Sequence, residues 1–432
     1  MASSPTGTPA ATSAGSTNEA LSSLPASARV FSWHEHASLW FSLGVGLLVM
    51  QMGAYLVPAL GTHDALLAIV LGTAIGAGLL AWTAKLGADT GLTSAGLMHQ
   101  AYGSTFARLP VLLNIAQLIG WTTFELVIMR DGTQAIAQQS MGLALDGFWG
   151  TLLPTLLWGG VLALLLSGSM THLVRKIIGR YGLPLVIASL LWLTWQFGSR
   201  VLAGGMGTFM SRTGDGSMGM LSAMDLVIAM PISWLPLVAD YARFGKSGRG
   251  AFGGTWVGYA VANVWCYALG VMVASLSEPG AALVGTLLLA QGGLIALSLI
   301  LVDEIDNAYG DVYSGAVSTH SLLPKISVGT WGLALAALCT VLALVLPMHD
   351  LEPFLLMLSS VFVPLYGVIL GRLGWGAHSA SVPTIKVDIP AAAIWLIGIV
   401  AFQSLSRLAP QWGATLPTLL LTGVAAFATR RK

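Results

Sequence analysis

The chain is 432 residues long, 55% hydrophobic and only 9% charged, with a formal net charge of +1. That is too little charge to cover a soluble globule, and too even a balance to suggest a nucleic acid or an anionic polymer as partner. The composition is that of a polytopic membrane protein, and its two cysteines, Cys266 and Cys339, both within predicted helices, indicate no disulfide framework.

In chain order, residues 1–28 are rich in Ser, Ala, Thr and Pro, lack the apolar core of a signal peptide, and are read as a disordered cytoplasmic tail. His34-Glu35-His36 then reads as a solvated helix start in preference to a metal-binding fragment. Apolar stretches of about 20 residues, enough to cross hydrocarbon, follow at roughly Leu39 to Leu60, Ala65 to Ala84, Pro110 to Met129, Trp149 to Ser167, Tyr181 to Gly198 and Leu221 to Ala239. Six more run roughly Gly253 to Ser275, Leu283 to Leu301 continuing to Val317, Gly329 to Pro347, Phe354 to Leu370, Pro390 to Leu405 and Ala414 to Phe427.

Basic residues give an independent test of this count. With the N-terminus inside, alternate connections hold 15 of the 19 Lys and Arg residues, and only Arg130, Arg200, Arg212 and Arg407 fall outside. Twelve helices with both termini cytoplasmic follow from that asymmetry, and the cell (inner) membrane is the expected location.

Ionisable groups inside a bilayer cost about 3 kcal/mol or more each, which makes them markers of function. The eighth span carries Asp303, Glu304, Asp306 and Asp311. On a helical wheel, Glu304, Asp306, Asn307 and Asp311 lie at about 100°, 300°, 40° and 80° from Asp303. Asp303, Glu304, Asn307 and Asp311 thus share one arc, suited to the wall of a cavity or ion path, while Asp306 looks sideways toward a neighbouring helix. The alternative is that the span ends near Val302 and the acids sit in a loop; equally, part of the run from Leu283 could be an external helix.

The third span carries Glu125 one turn after Trp121, so both project from one face. An aromatic plate beside a carboxylate can stack a flat ring and accept hydrogen bonds from its N–H edge; an indole packing a helix interface beside a Glu bonded to a Thr or Gln neighbour is the other reading. Two spans hold helix breakers: the first has Gly53 and Pro58, and the sixth has Pro231 and Pro236 around Trp234. Both are expected to unwind at mid-membrane. Helices one and six correspond in a five-helix inverted repeat, as do three and eight, which is the pattern of a transporter with its site at the midplane.

These residues resemble the nucleobase:cation symporter-1 family, and within it the predicted hydroxymethylpyrimidine permeases called CytX. The likeness runs from about Phe31 to Phe427 and rests on Gly120-Trp121 with Glu125, Trp234 with Asp240-Tyr241-Ala242-Arg243-Phe244, and Asp303-Glu304 through Asp306-Asn307 to Asp311-Val312-Tyr313-Ser314. It implies a LeuT-type fold: a first repeat at about 38–198, a second at about 221–370, two peripheral helices at about 390–428, and alternating access. It further implies that Trp121 and Trp234 sandwich a planar ligand, that Glu125 bonds its polar edge, that Asn307 or Asp311 and Gln51 complete the substrate site, and that Asp240 to Arg243 form a cytoplasmic gate or fold element.

The hydroxyls that hold sodium in sodium-driven relatives align near Val302, Ile305 and Asp306, so the coupling ion is H+ or Na+. Asp306, Asp303 and Glu304 are the coupling candidates, and Met50, Val302 and Asp306 mark a candidate sodium site. Because an ionised carboxylate only accepts, Glu125 favours an aminopyrimidine over a lactam. The implied substrate is hydroxymethylpyrimidine, a thiamine precursor, with cytosine or another nucleobase as alternative. No cofactor, enzymatic activity, nucleic acid or obligate protein partner is expected; besides substrate, the partner is membrane lipid. A channel is the rival class, against which two mid-membrane indoles argue. No HExxH-type cluster suggests a metalloenzyme.

Overall fold

The computed structural model describes residues 18–168, 181–277, 283–288, 291–346, 348–375 and 385–430. Residues 1–17 of the expected tail, Arg175, Lys176, Arg180, Arg431 and Lys432 of the charge count, and Pro347 lie outside the described residues. The described regular structure is helical apart from one bridge pairing Phe31 with Gly245.

The helices are α1 Trp33–Ser42, α2 Leu47–Tyr55, α3 Thr62–Thr90, α4 Ser94–Tyr102, α5 Arg108–Met141, α6 Gly147–Leu166, α7 Leu183–Gly204 and α8 Met206–Met210. They continue as α9 Met220–Ala242, α10 Gly248–Ser275, α11 Leu283–Leu288, α12 Gly293–Leu322, α13 Val328–Val345, α14 Leu351–Leu373, α15 Ile389–Leu408 and α16 Thr415–Ala428. Among the described residues, nine helices are long and apolar enough to cross a membrane, and α1 with α2 forms one further span bent by 61°. The two remaining expected spans correspond to α12, which at 30 residues is long enough but carries the four acids, and to the 14-residue α16. Short α4, buried between spans two and three, is not signalled by hydropathy.

The first span breaks at 43–46, a turn or more before the expected site. Leu43-Gly44-Val45-Gly46 leaves helical geometry between α1 and α2, whereas Gly53 lies inside α2. There it permits a close crossing: a Cβ on Gly53 would come within 2.2 Å of the Tyr267 carbonyl oxygen, and one on Gly270 within 2.0 Å of that of Met50. Nor is the sixth span unwound. α9 runs through both Pro231 and Pro236 as one helix, and side chains of α5 serve its carbonyls: Asn114 Nδ2 donates to Pro236 O at 3.0 Å and Gln117 Nε2 to Ser233 O at 3.1 Å. These two amides tie α5 to α9 along its proline-containing stretch.

The acids of the eighth span lie well inside a helix, so the loop reading fails. The apolar run before them divides into α11 and a turn at Gly292, whose φ of +67° suits glycine. His36 is also corrected: Glu35 completes a capping box with Ser32 at the start of α1, but His36 is fully buried where a solvated residue was expected.

The bundle differs at its two ends. At the end opposite the termini, a cavity of about 1410 Å³ opens among α2, α5, α9, α14 and their connections, lined by Gln51, Tyr55, Asp131, Asp215, Asp225 and Glu352 among others. The end carrying the termini is sealed. Residues 18–28, expected to belong to the disordered tail, form two 3-10 turns there (Glu19–Leu21 and Ala26–Ala28). Asn18 Nδ2 donates to Ser321 O at 2.7 Å, Ser23 Oγ to Thr90 O at 2.7 Å, and Arg29 Nη1 to Ala88 O at 2.9 Å.

Candidate functional site

Two helices bring most of the expected site residues together. On α5, Asn114, Gln117, Trp121 and Glu125 recur at helical spacing and are all buried, forming one polar stripe. On α12, which packs along α5, Asp303, Glu304, Asn307 and Asp311 are buried and Asp306 is half-buried.

The acids divide into three sets by what they touch. Ser42, at the last turn of α1, directs its hydroxyl at both Asp303 Oδ1 (3.0 Å) and Asp306 Oδ2 (3.2 Å). Glu304 instead receives the backbone N–H of Leu47, the first residue of α2, where a carboxylate complements the positive end of a helix. Asn307 Nδ2 donates to Val45 O at 3.2 Å and to Glu304 Oε2 at 3.3 Å. Glu304 and Asn307 therefore hold the broken first span open, and Asn307 retains only its unpartnered Oδ1 for a ligand. Asp311 and Glu125 form the third set: α12 runs antiparallel along α5, with Leu301 against Gly132 and Gly315 beside Leu118, which brings Asp311 to the level of Glu125. Glu125 Oε2 and Asp311 Oδ2 are buried without a hydrogen-bond partner, as are Trp121 Nε1 and Thr122 Oγ1 beside them.

Each expected indole has its own aromatic anchor. Trp121 meets Phe354 of α14 edge to face, centroids 5.1 Å apart at 76°, and Phe124 completes that cluster. Trp234 meets Trp40 of α1 at 6.0 Å and 85°. Such pairs fix ring orientation beyond what area burial alone does. Trp234 also approaches Gly310, the residue before Asp311: a Cβ there would lie 3.9 Å from its ring and 3.4 Å from the Tyr241 hydroxyl.

Gln51, Met50 and Val302 do not join this group. Gln51 sits on α2, exposed to the large cavity with Leu47 and Ile128. Ile128, one helical turn from Glu125 on α5, lines that cavity together with Leu47 and Gln51, so Gln51 belongs to its approach. Met50, Val302 and Asp306 do not converge either. Val302 is 55% exposed on the outer face of α12, and Met50 is buried against α10, while Asp306 faces Ser42.

Ser42, Asn114, Gln117 and Phe354 were missed. The α5 pair was legible as polar residues three, seven and eleven positions apart on one face, whereas Ser42 and Phe354 look like ordinary span residues until the fold juxtaposes them. At the sealed end, Asp240 Oδ1 accepts from Ser94 N at 2.9 Å, Arg243 Nη2 donates to Ser22 O at 2.9 Å, and Arg372 pairs with Asp388 at 2.6 Å. Asp225 takes the N-terminus of α16 through Thr415 N at 3.0 Å. Cys266 and Cys339 are buried free thiols.

With this geometry in hand, comparison with known proteins is informative. A profile described as “Permease for cytosine/purines, uracil, thiamine, allantoin” matches residues 23–373. Among solved structures, Mhp1, a nucleobase-cation-symport-1 family transporter in a closed conformation with bromovinylhydantoin bound, superposes with a TM-score of 0.78 at 15% identity, covering 95% of this chain and 94% of that one. Mhp1 in its inward-facing conformation gives 0.71 at 15% identity, covering 96% and 93%. MhsT in complex with L-phenylalanine gives 0.60 at 14% identity, covering 90% and 98%. No curated protein matches the chain by sequence. The structural likenesses establish an all-α, LeuT-type transporter fold.

Proposed function

The chain belongs to the family of permeases for cytosine/purines, uracil, thiamine and allantoin, and from that premise we propose that it imports a small planar aminopyrimidine, hydroxymethylpyrimidine, across the cell membrane by cation-coupled alternating access. It is a transporter and not an enzyme. Residues 38–198 and 221–370 act as the two inverted repeats, residues 390–428 as peripheral helices, and both termini face the cytoplasm, so the 1410 Å³ cavity is the outer entrance.

One observation carries the substrate reading. Glu125 and Asp311 offer buried acceptor oxygens with no donor on them, near an indole from each repeat. A ligand that fits must bring N–H donors and a flat face. An aminopyrimidine does so through its exocyclic NH2; a lactam edge sets a C=O acceptor beside its one N–H, and a carbonyl turned to a carboxylate is left without a donor, at a cost of about 1–3 kcal/mol. Gln51 meets the ligand during entry, and Trp121 and Trp234 flank it once it is bound.

For the coupling ion, Ser42 favours a proton. A hydroxyl has one hydrogen to give, so its contacts to Asp303 and Asp306 are both hydrogen bonds only when one carboxyl carries a proton and donates back. Sodium held by the same carboxylates is the second reading, and cytosine the second substrate. Uptake into proteoliposomes of hydroxymethylpyrimidine, cytosine, uracil and hydantoin, each under an imposed pH or sodium gradient, tests all of these. Saturable, pH-driven uptake led by hydroxymethylpyrimidine is expected; preference for uracil or hydantoin would overturn the substrate assignment, and non-saturable flux would favour a channel.

A further inference from the structure

α12 carries more than the four acids. Asp303, Asn307, Asp311, Ser314, Ser318 and Ser321 recur at steps of three or four residues and are all buried, so they form one stripe. It spans about 27 Å of helix, from mid-bundle to the sealed end. Small hydroxyl residues at this spacing often serve only close helix packing, and Ser318 does receive the Asn114 amide at 3.1 Å.

Asp240 makes the stripe more than packing. It lies on α9, is 1% exposed, and faces the stripe beside Ser314. Its Oδ1 is occupied by the Ser94 backbone N–H, while its Oδ2 and Ser314 Oγ are neighbours with no hydrogen bond of ordinary geometry between them or to any other described group, and Asp311 Oδ2 one turn above is unfilled as well. Three unfilled polar atoms thus follow one another from the Glu125–Asp311 pair toward the sealed end. The other ionisable groups facing Asp240 are Arg243 on its own helix and the phenols of Tyr241, Tyr313 and Tyr366. The phenols are poor proton acceptors at neutral pH. Arg243 lies next toward the end of the bundle and holds Ser22 of the N-terminal segment.

We propose that Asp240 is the proton-release relay of the transport cycle. Asp311, protonated once the substrate has left it, gives its proton to Ser314 Oγ, which passes its own hydrogen to Asp240 Oδ2; protonated Asp240 then releases it to solvent when the sealed end opens, leaving Ser314 and Asp240 as they began and Asp311 ionised, ready to accept the N–H of the next substrate. Asp240 touches neither substrate nor the Ser42 cluster, and its effect is on release alone. The relay rests on the proton-coupled reading above.

Asp240→Asn keeps an acceptor for Ser94 N and removes the site that takes up the proton. Proteoliposomes loaded with a pH-sensitive dye and given hydroxymethylpyrimidine would report net, pH-driven uptake with internal acidification; exchange of labelled for unlabelled hydroxymethylpyrimidine at equal pH needs no net proton release. Loss of a proton-transfer group predicts net uptake lowered at least ~10-fold by Asp240→Asn and severalfold by Ser314→Ala, with exchange close to the parent in both. Net uptake by Asp240→Asn close to the parent, or net uptake and exchange falling together, would overturn the relay. Sodium-driven uptake by the parent without acidification would overturn the proton reading beneath it, an outcome visible before any variant is made.

Discussion

Glu125→Gln is the substitution that most cleanly separates a charged acceptor from a neutral one in the proposed site. Glu125 is buried on α5 facing Asp311, with Oε2 unfilled. A substrate N–H on a carboxylate contributes about 1.5–3 kcal/mol and on a neutral acceptor about 0.5–1.5 kcal/mol. The amide can turn its NH2 toward the unfilled Asp311 Oδ2 and keep its carbonyl on the substrate, so the minimum loss is the charge assistance, about 1–1.5 kcal/mol, or about tenfold in affinity. If the amide instead points its NH2 at the substrate's amino group, an unpaired donor adds about 1–3 kcal/mol, for a total of about 2–4.5 kcal/mol, or about thirtyfold to two-thousandfold. Equilibrium binding to purified protein measures it directly. Hydroxymethylpyrimidine should weaken tenfold or more while uracil or hydantoin gains, since the amide offers the donor a lactam needs. Parental affinity for hydroxymethylpyrimidine in the variant would refute the reasoning.

Other elements make independent predictions. Ser42→Ala removes the hydroxyl shared by Asp303 and Asp306 and should reduce gradient-driven uptake more than exchange, measured in the same vesicles. Gly270→Val places a side chain where a Cβ already comes within 2.0 Å of the Met50 carbonyl, so a large loss of folded protein is expected by size-exclusion chromatography; Gly285→Ala, whose Cβ meets nothing within 4 Å, serves as its control. Arg372→Met breaks a buried ion pair with Asp388 at 2.6 Å and should cost up to about 3–5 kcal/mol, read as a lower Tm. His99, in α4 outside the spans, has its pKa lowered by burial, assisted by Arg108, to about 4. The unfolded chain therefore binds the extra proton between about pH 4 and 6.5, so this contribution to stability is complete above pH 6.5 and is lost as pH falls toward 4. His99→Gln should flatten the pH dependence of Tm in that window.

The spans were legible because lipid permits little besides apolar helix, and the acids stood out because nothing apolar explains them. The location of the break in the first span was not. Gly53 and Pro58 looked like its cause, yet Gly53 serves the crossing with Tyr267 and Pro58 lies beyond the end of α2, while the unwound residues are held by Glu304 and Asn307 from a helix some 260 positions away. Pro231 and Pro236 misled for a related reason: α9 is packed on α3 and α14 and tied to α5 by the Asn114 and Gln117 amides, and span-by-span reading does not see that tertiary packing. Trp121, Glu125 and the α12 acids could be named from spacing, but the division of those acids among Ser42, the α2 N-terminus and Glu125 is set by tertiary contact.

The central claim is that a flat aminopyrimidine lies between Trp121 and Trp234 with its N–H edge on Glu125 and Asp311. A structure of the protein with hydroxymethylpyrimidine bound tests this most directly. The account predicts ligand density between the two indoles with the exocyclic amino nitrogen at hydrogen-bond distance from a carboxylate of Glu125 or Asp311; density confined to the cavity above Leu47 and Ile128, with both carboxylates still unfilled, would contradict it.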